Sequence, residues 1–441
     1  MNALDRYFRI RERGSSIATE IRGGVATFLA MAYILVVNPA ILSNAGIPFE
    51  SAVACTALAA GLCCLLMGTV ANFPLALASG TGLNAFVVHA ATVTGSWQSA
   101  MGLVVLDGLI VLALVAAGIR EAMIDAIPAD LRRGISAGIG LFIALIGCVS
   151  AGMVAKNEIP SPPPVSPGLF LQPTVLVTLA AVCVIAVLLQ RKVAGSILIG
   201  VVLAAVALLL VPSGADSSTT EPAATVTAWF RVPSLEIAGQ ADVFGAISLK
   251  FVPLLLSLLM VDFFDTLGTV TSIGEQSQLF DERRRVLGLR RILAVDAISA
   301  SIGGWLGVSS VTSYIESAAG VADGARTGLH SVVVGVLFLL AMFAAPLVAL
   351  LPPAATASAL IVVGFLMAEP LTRIDFSQPD TAIPAFVTIL LIPLTYSISH
   401  GIGYGVLTFV AIRLLTFRWS EVHPLMYGAA IVFAAAFTLG G

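Results

Sequence analysis

The chain has 441 residues, 58% of them hydrophobic and 11% charged, with a formal net charge of −3 and a mean hydropathy of +1.02. A soluble core of this length could not use that much apolar surface, so the chain reads as a polytopic helical membrane protein. The slight acidic excess carries little meaning in such a protein, and the composition gives no reason to expect nucleic acid as a partner.

Residues 1–22 carry Arg6, Arg9, Arg11, Arg13 and Arg22 among polar residues and lack a short apolar run with a small-residue cleavage site. They predict a cytoplasmic amphipathic start and no removed signal peptide. At about 20 residues per crossing, spans fall near 23–42, 50–70, 74–94, 99–118, 132–154, 173–189 and 194–212. A second set falls near 246–272, 288–306, 308–322, 327–350, 355–371, 381–398 and 401–417. With the amino terminus inside, only Lys156, Arg231 and Lys250 of the 22 Lys and Arg residues face the exterior, as the positive-inside rule requires. The expected site is therefore a cell (inner) membrane crossed many times. The proline-rich 155–172 is a stiff external loop, and 213–245 is the external link between two halves. Residues 418–441 form a carboxy-terminal segment whose apolar stretch, 425–440, is either an interfacial helix or an extra crossing.

Because seven is odd, the two sets, 23–212 and 246–417, must lie upside down relative to each other, the inverted repeat of secondary transporters. The third span of each half is abnormal. Residues 72–86 combine Pro74, Gly80, Gly82 and Ser/Thr ahead of a new apolar run, and residues 303–316 repeat the plan with Gly303, Gly304, Gly307, Ser309, Ser310 and Thr312. Such residues favour a short extended piece over helix, tolerated at bilayer depth only where protein or a wet cavity satisfies the backbone. Half-helices starting near Leu83 and Ile315 would aim free N–H groups into that cavity.

Three acids lie in these apolar surroundings without a basic neighbour: Asp262 and Asp265 in the eighth span, and Glu316 in the tenth. A charged carboxylate at that depth costs roughly 2.5–3.5 kcal/mol, so its default reading is a site for something that donates hydrogen bonds or protons. Bland readings stand beside each. Asp262 and Asp265 share a helix face, and one could hold Thr269 or a backbone N–H; Asn84 could be helix–helix glue. Asp107 and Asp296 are candidate supporting acids, His89 reads as a packed or interfacial histidine, and the five cysteines read as small packing residues.

Residues Ala76 to Ala78 and Gly82 to Phe86, Val261-Asp262-Phe263-Phe264-Asp265-Thr266-Leu267-Gly268-Thr269, Thr312 to Ala322, the opening Thr19 to Tyr33 and the Arg326-Thr327-Gly328-Leu329 turn together resemble the AzgA-like purine nucleobase permeases. These belong to the nucleobase–ascorbate, or nucleobase:cation symporter-2, superfamily. The resemblance covers nearly the whole chain; it departs at Ser79-Gly80-Thr81, where the family more often has Pro and Met before the glycine. It implies fourteen spans in two inverted repeats, a core domain from spans 1–4 and 8–11, a gate domain from spans 5–7 and 12–14, and a homodimer in the lipid bilayer. It further implies uptake of a purine nucleobase with a proton by an elevator-like motion, the proton gradient and no bound cofactor being the driving force.

Carried over by motif, Asp262, Asp265, Glu316, Gly82 and Asn84 should line the pocket. Ionised carboxylates accept the N–H donors of guanine and hypoxanthine in charge-assisted bonds. Glu316 and Asp262 are expected on opposite edges of the base, Asn84 on a ring nitrogen or the C6 substituent, and Tyr314 and the Ile315 N–H along the wall. Asp262, Asp265 and Glu316 are the candidate proton carriers. The competing readings are a uracil or xanthine symporter of the same superfamily, and an anion transporter of the same fold, which would want Arg, Lys or bare helix N-termini instead. A channel would show a pore-lining charged ring, and no His-Glu-x-x-His or Gly-x-Ser-x-Gly motif points to an enzyme.

Overall fold

The computed structural model describes residues 3–118, 127–156, 165–191, 193, 195–210, 233–279, 286–348 and 353–439. In the first half the elements are α1 (Ala3–Phe8), α2 (Ile17–Met31), α3 (Ile34–Leu42), α4 (Phe49–Leu66), β1 (Leu77–Ser79), α5 (Thr81–Thr94), α6 (Trp97–Ala116), α7 (Ala129–Ser150), β2 (Val154–Lys156), β3 (Val165–Pro167), α8 (Pro173–Gln190) and α9 (Ser196–Leu210). The second half gives α10 (Val252–Ser277), α11 (Leu289–Trp305), β4 (Val311–Ser313), α12 (Ser317–Ala322), α13 (Gly328–Ala341), α14 (Ala357–Met367), α15 (Pro379–Thr395), α16 (Ile398–Leu415) and α17 (Pro424–Leu439). Among the described residues, six helices are long and apolar enough to cross a membrane.

Two bodies emerge from the packing. In one, α13 lies against α2 and α4, α12 against α2, and α6 against α11, with β1 resting on α4 and β4 on α10 and α11. In the other, α7 packs on α14 and α15, α15 on α16, α16 on α17, and α8 on α9. This is the core and gate division. The bodies meet where α5 and α10 touch α7 and where α10 touches α16 and α17. In the core, helix approach is set by glycine: a Cβ on Gly68 would lie 2.5 Å from the Gly328 carbonyl oxygen, close contact being what binds helices where water supplies no hydrophobic drive.

Three elements differ from expectation. The first span starts at Ile17, not 23, and breaks at Ala32 and Tyr33, where Leu35 N–H and Val36 N–H bond three residues back, to Ala32 and Tyr33. The half-helices begin at Thr81 and Ser317, two residues from Leu83 and Ile315, because the antiparallel pairing of β1 with β4 ends there. Residues 425–440 were open between two readings; α17 is a helix packed on α16. At the described ends of the 155–172 stretch β2 and β3 pair antiparallel, and the end of the 213–245 link ties down both halves, with Gly239 N–H bonding Trp305 O at 2.8 Å and Asp242 N–H bonding Gln98 O at 2.9 Å.

The amino-terminal segment clasps one end of the core. Asn72, in the left-handed region at φ 48°, donates from Nδ2 to Phe8 O at 3.1 Å and accepts from Gly328 N–H at 2.8 Å. Fully buried Glu20 accepts the N–H groups of Arg326 at 2.8 Å and Thr327 at 3.2 Å, which caps the start of α13 with negative charge. Glu20→Ala should lower stability by about 3–6 kcal/mol, its two hydrogen bonds to a charged group being worth roughly 1.5–3 kcal/mol each, while Glu20→Gln should lose less. The melting temperature in detergent is the measurement.

Candidate functional site

The two extended pieces meet as a single two-stranded ladder, with Leu77 opposite Ser313, Ala78 opposite Thr312 and Ser79 opposite Val311. A strand pair this short satisfies few of its own backbone groups, and the remainder need partners. Gly80 N–H bonds Ser310 O at 3.0 Å and Tyr314 N–H bonds Ala76 O at 3.0 Å, extending the ladder at both ends. Side chains complete it: Ser331 Oγ accepts Leu75 N–H at 3.0 Å, Ser317 Oγ accepts Ala76 N–H at 2.9 Å, and Cys64 Sγ accepts Leu77 N–H at 3.1 Å. Cys64 is thus more than packing, since from α4 its thiol accepts a strand N–H.

The acids divide by what they hold. Asp296, on α11, accepts Thr266 Oγ1 at 2.6 Å and Ser313 Oγ at 2.9 Å, and Thr266 also lies 3.1 Å from Thr312 Oγ1. It therefore moors β4 to α10 and α11. Asp262, one turn before Thr266 on α10 and fully buried, accepts Ser310 Oγ at 3.0 Å, at the entry to β4. Asp107 is fully buried on α6. Asp265 lies on α10, and its side chain falls outside the described residues.

Glu316 stands at the start of α12 with helical backbone angles, φ −60° and ψ −15°, and is only half-buried. Its Oε1 accepts the hydroxyl of Tyr33 at 2.7 Å. Tyr33 is the residue that sequence reasoning missed: it stood in the motif Ala30-Met31-Ala32-Tyr33, but nothing local said that the first span would break there. Tyr314 is buried, and its hydroxyl donates to Ser79 O across the ladder. Ile315 turns outward, its side chain 48% exposed.

Asn84 is fully buried on the first turn of α5; its Oδ1 accepts Ser79 Oγ at 2.7 Å, while its Nδ2 has no hydrogen-bond partner among the described residues. The amide thus keeps its donors for something else. Gly82 faces the gate: a Cβ there would lie 2.7 Å from Ile139 Cγ2 of α7. Beside it Thr81 Oγ1 sits 3.7 Å from Met367 Sδ of α14. The structure therefore gathers Asn84, Asp262, Tyr314 and Glu316 around one strand crossing, with Gly82 at the seam between core and gate.

Chemically this is a cluster of acceptors, the carboxylates of Asp262 and Glu316, the second held through one oxygen by Tyr33, beside a buried amide nitrogen with donors to offer. No Lys or Arg occurs in 76–86, 260–270 or 308–322, so an anionic ligand would meet repulsion there.

The sequence profile of the Permease family matches residues 18–403. Among curated proteins, the guanine/hypoxanthine permease PbuG of Bacillus subtilis is 40% identical over 448 residues, covering 98% of each chain. The adenine permease AdeQ of Escherichia coli is 36% identical over 435 residues, covering 98% of this chain and 95% of its own. Among solved structures, the transmembrane domain of the cyanobacterial bicarbonate transporter BicA superposes with a TM-score of 0.63 at 17% identity, covering 87% of this chain and 96% of that one. That last likeness is one of fold.

Asp296→Ala leaves two hydroxyls without their acceptor and should lower stability by about 2–4 kcal/mol. Asp296→Asn keeps one acceptor oxygen and should lose about half as much. Thermal denaturation of the purified protein separates the two.

Proposed function

Because the chain belongs to the Permease family, in the nucleobase permease group that its motifs resemble, we propose that it takes up hypoxanthine and guanine, and adenine as a further substrate, together with a proton. The observation that carries this reading is the pair of acceptors at the strand crossing, half-buried Glu316 and buried Asp262, beside the Asn84 Nδ2, which has no hydrogen-bond partner among the described residues. A 6-oxopurine offers an N1–H and an imidazole N–H, guanine an amino group besides. Glu316 and Asp262 accept these donors, and Asn84 gives its own to the C6 oxygen or a ring nitrogen. The names of the relatives point to the same substrates.

Coupling follows from electrostatics. A buried anion resists crossing a low-dielectric barrier, so a proton taken up by Asp262, Asp265 or Glu316 leaves the loaded core neutral and able to move. The core then slides against the gate as an elevator, and the seam at Gly82, Ile139, Thr81 and Met367 is where that motion begins. The division into 23–212, 246–417 and their flanking segments, fourteen spans, a homodimer, and an inner-membrane protein with a cytoplasmic amino terminus belong to the same proposal. Tyr33 holds one oxygen of Glu316 and leaves the other for the base.

The second reading, an anion carrier, has the fold likeness in its favour; the carboxylates and the absence of a nearby basic residue stand against it. A uracil or xanthine symporter of the same superfamily is the nearer competitor.

Gradient-driven uptake of radiolabelled hypoxanthine into vesicles lacking other purine carriers tests the proposal. Wild type should show saturable uptake that collapses with the proton gradient and is blocked by guanine more than by uracil or xanthine. Glu316→Gln should abolish it, and Asp262→Asn should remove accumulation; unchanged accumulation would take Asp262 out of the coupling role. Tyr33→Phe, lacking the hydroxyl on Glu316, should raise the apparent KM by about tenfold, equivalent to about 1.4 kcal/mol, with the maximal rate little changed.

A further inference from the structure

A second polar cluster bridges the core and the gate, far from the strands. His89, on α5 of the core, places Nε2 3.1 Å from Ser397 Oγ. Ser397 caps α16 of the gate, where its Oγ also lies 2.8 Å from His400 Nδ1 and accepts His400 N–H at 3.2 Å. Ser397 is buried at 2% exposure, whereas the His400 ring is exposed and stacks on Phe437 of α17, with centroids 5.1 Å apart and planes at 6°. The arginine distribution puts this end of α5 and α16 on the exterior.

A hydroxyl has one proton to give and two lone pairs to receive. One lone pair takes the His400 backbone N–H, which leaves one donor and one acceptor for two ring nitrogens. One histidine must present a lone pair and the other an N–H. Both rings neutral satisfy this, and so does one added proton. With both rings protonated, three N–H groups aim at two lone pairs, and two cations interact at close range. Histidine ordinarily titrates between pH 5 and 8.

Beside the latch stand Tyr396, next to Ser397, and Tyr404 of α16, whose ring packs on Phe437; Asp107 is in mid-span on α6, Asp262 is on α10 at the strands, and Asp130 of α7 and the Asp380–Arg413 pair of α15 and α16 lie at the far ends of their helices.

We propose that His89, Ser397 and His400 form a latch holding the core to the gate on the exterior side, and that a second proton releases it. This rests on the reading that the core moves against the gate. Acid outside would then free the carrier to open toward the side from which proton and substrate arrive.

Spin labels at Val93 and Leu394, exposed residues on core and gate helices near the latch, read the separation by pulsed electron–electron resonance in nanodiscs. A Cys148→Ala, Cys183→Ala background avoids labelling elsewhere. The wild-type distance should lengthen between pH 8 and pH 5, several-fold more of the population being separated in acid. His89→Gln and His400→Gln keep a hydrogen-bonding group without its charge and should stay closed throughout. Ser397→Ala should be separated at every pH. A wild-type distance that does not change with pH, or a shift that survives in both glutamine variants, overturns the latch. No substrate is present, so the two readings fail separately: constant distance with intact purine uptake removes the latch alone, and a pH-dependent distance without purine uptake supports the latch while removing the transport reading.

Discussion

Two backbone breaks inside a membrane must be satisfied by protein, and the rest of the core is arranged around that need. Each break alone would leave unpaired N–H and C=O groups where no water can pay the cost. The β1–β4 ladder brings the two together, so that the strand of one half supplies the partner for the strand of the other. What the ladder does not reach, Cys64, Ser317 and Ser331 do. Three helices from different parts of the chain are fixed in place by this requirement, and the half-helices start just past the two strands, at Thr81 and Ser317.

The acids take their character from the same arrangement. Asp296 and Glu20 hold hydroxyls or backbone N–H groups on fixed elements and act as mooring points. Glu316 is half-buried, bonded through one oxygen to Tyr33, and positioned at the mouth of a helix. Asp262 stands between these roles, bonded to Ser310 at the entry to β4 while lying one turn from the mooring residue Thr266. A structure can carry several buried carboxylates only if most are neutralised by hydrogen bonds to fixed donors.

Contacts within the core differ in kind from those at its boundary with the gate. Within the core, glycines such as Gly68 and Gly328 bring backbones into contact, and the amino-terminal clasp ties one end of the bundle. Between core and gate the contacts are of another kind: a glycine facing an isoleucine, a threonine on a methionine sulfur, and one hydrogen-bonded cluster of histidines and serine. Among the described residues, few strong polar ties cross that seam.

Much of the fold was legible in the sequence. Proline, glycine and β-branched residues at 72–86 and 303–316 disrupt helix locally, so the two breaks and their kinship could be read from composition alone, as could the membrane class and the acids that seemed out of place there. Pairing was not legible. Tyr33 and Glu316 lie 283 positions apart, and His89 and Ser397 308; no local pattern records which distant hydroxyl a carboxylate will find. Asp262 and Asp296 look alike as single acids in apolar runs, and only the partners that tertiary packing brings to them decide that Asp296 holds Thr266 and Ser313 while Asp262 holds Ser310 at the entry to β4. Sequence set where the backbone breaks and where charge is buried, because those depend on residue type; the three-dimensional structure decided which charges are satisfied, because that depends on neighbours contributed by the other half of the chain.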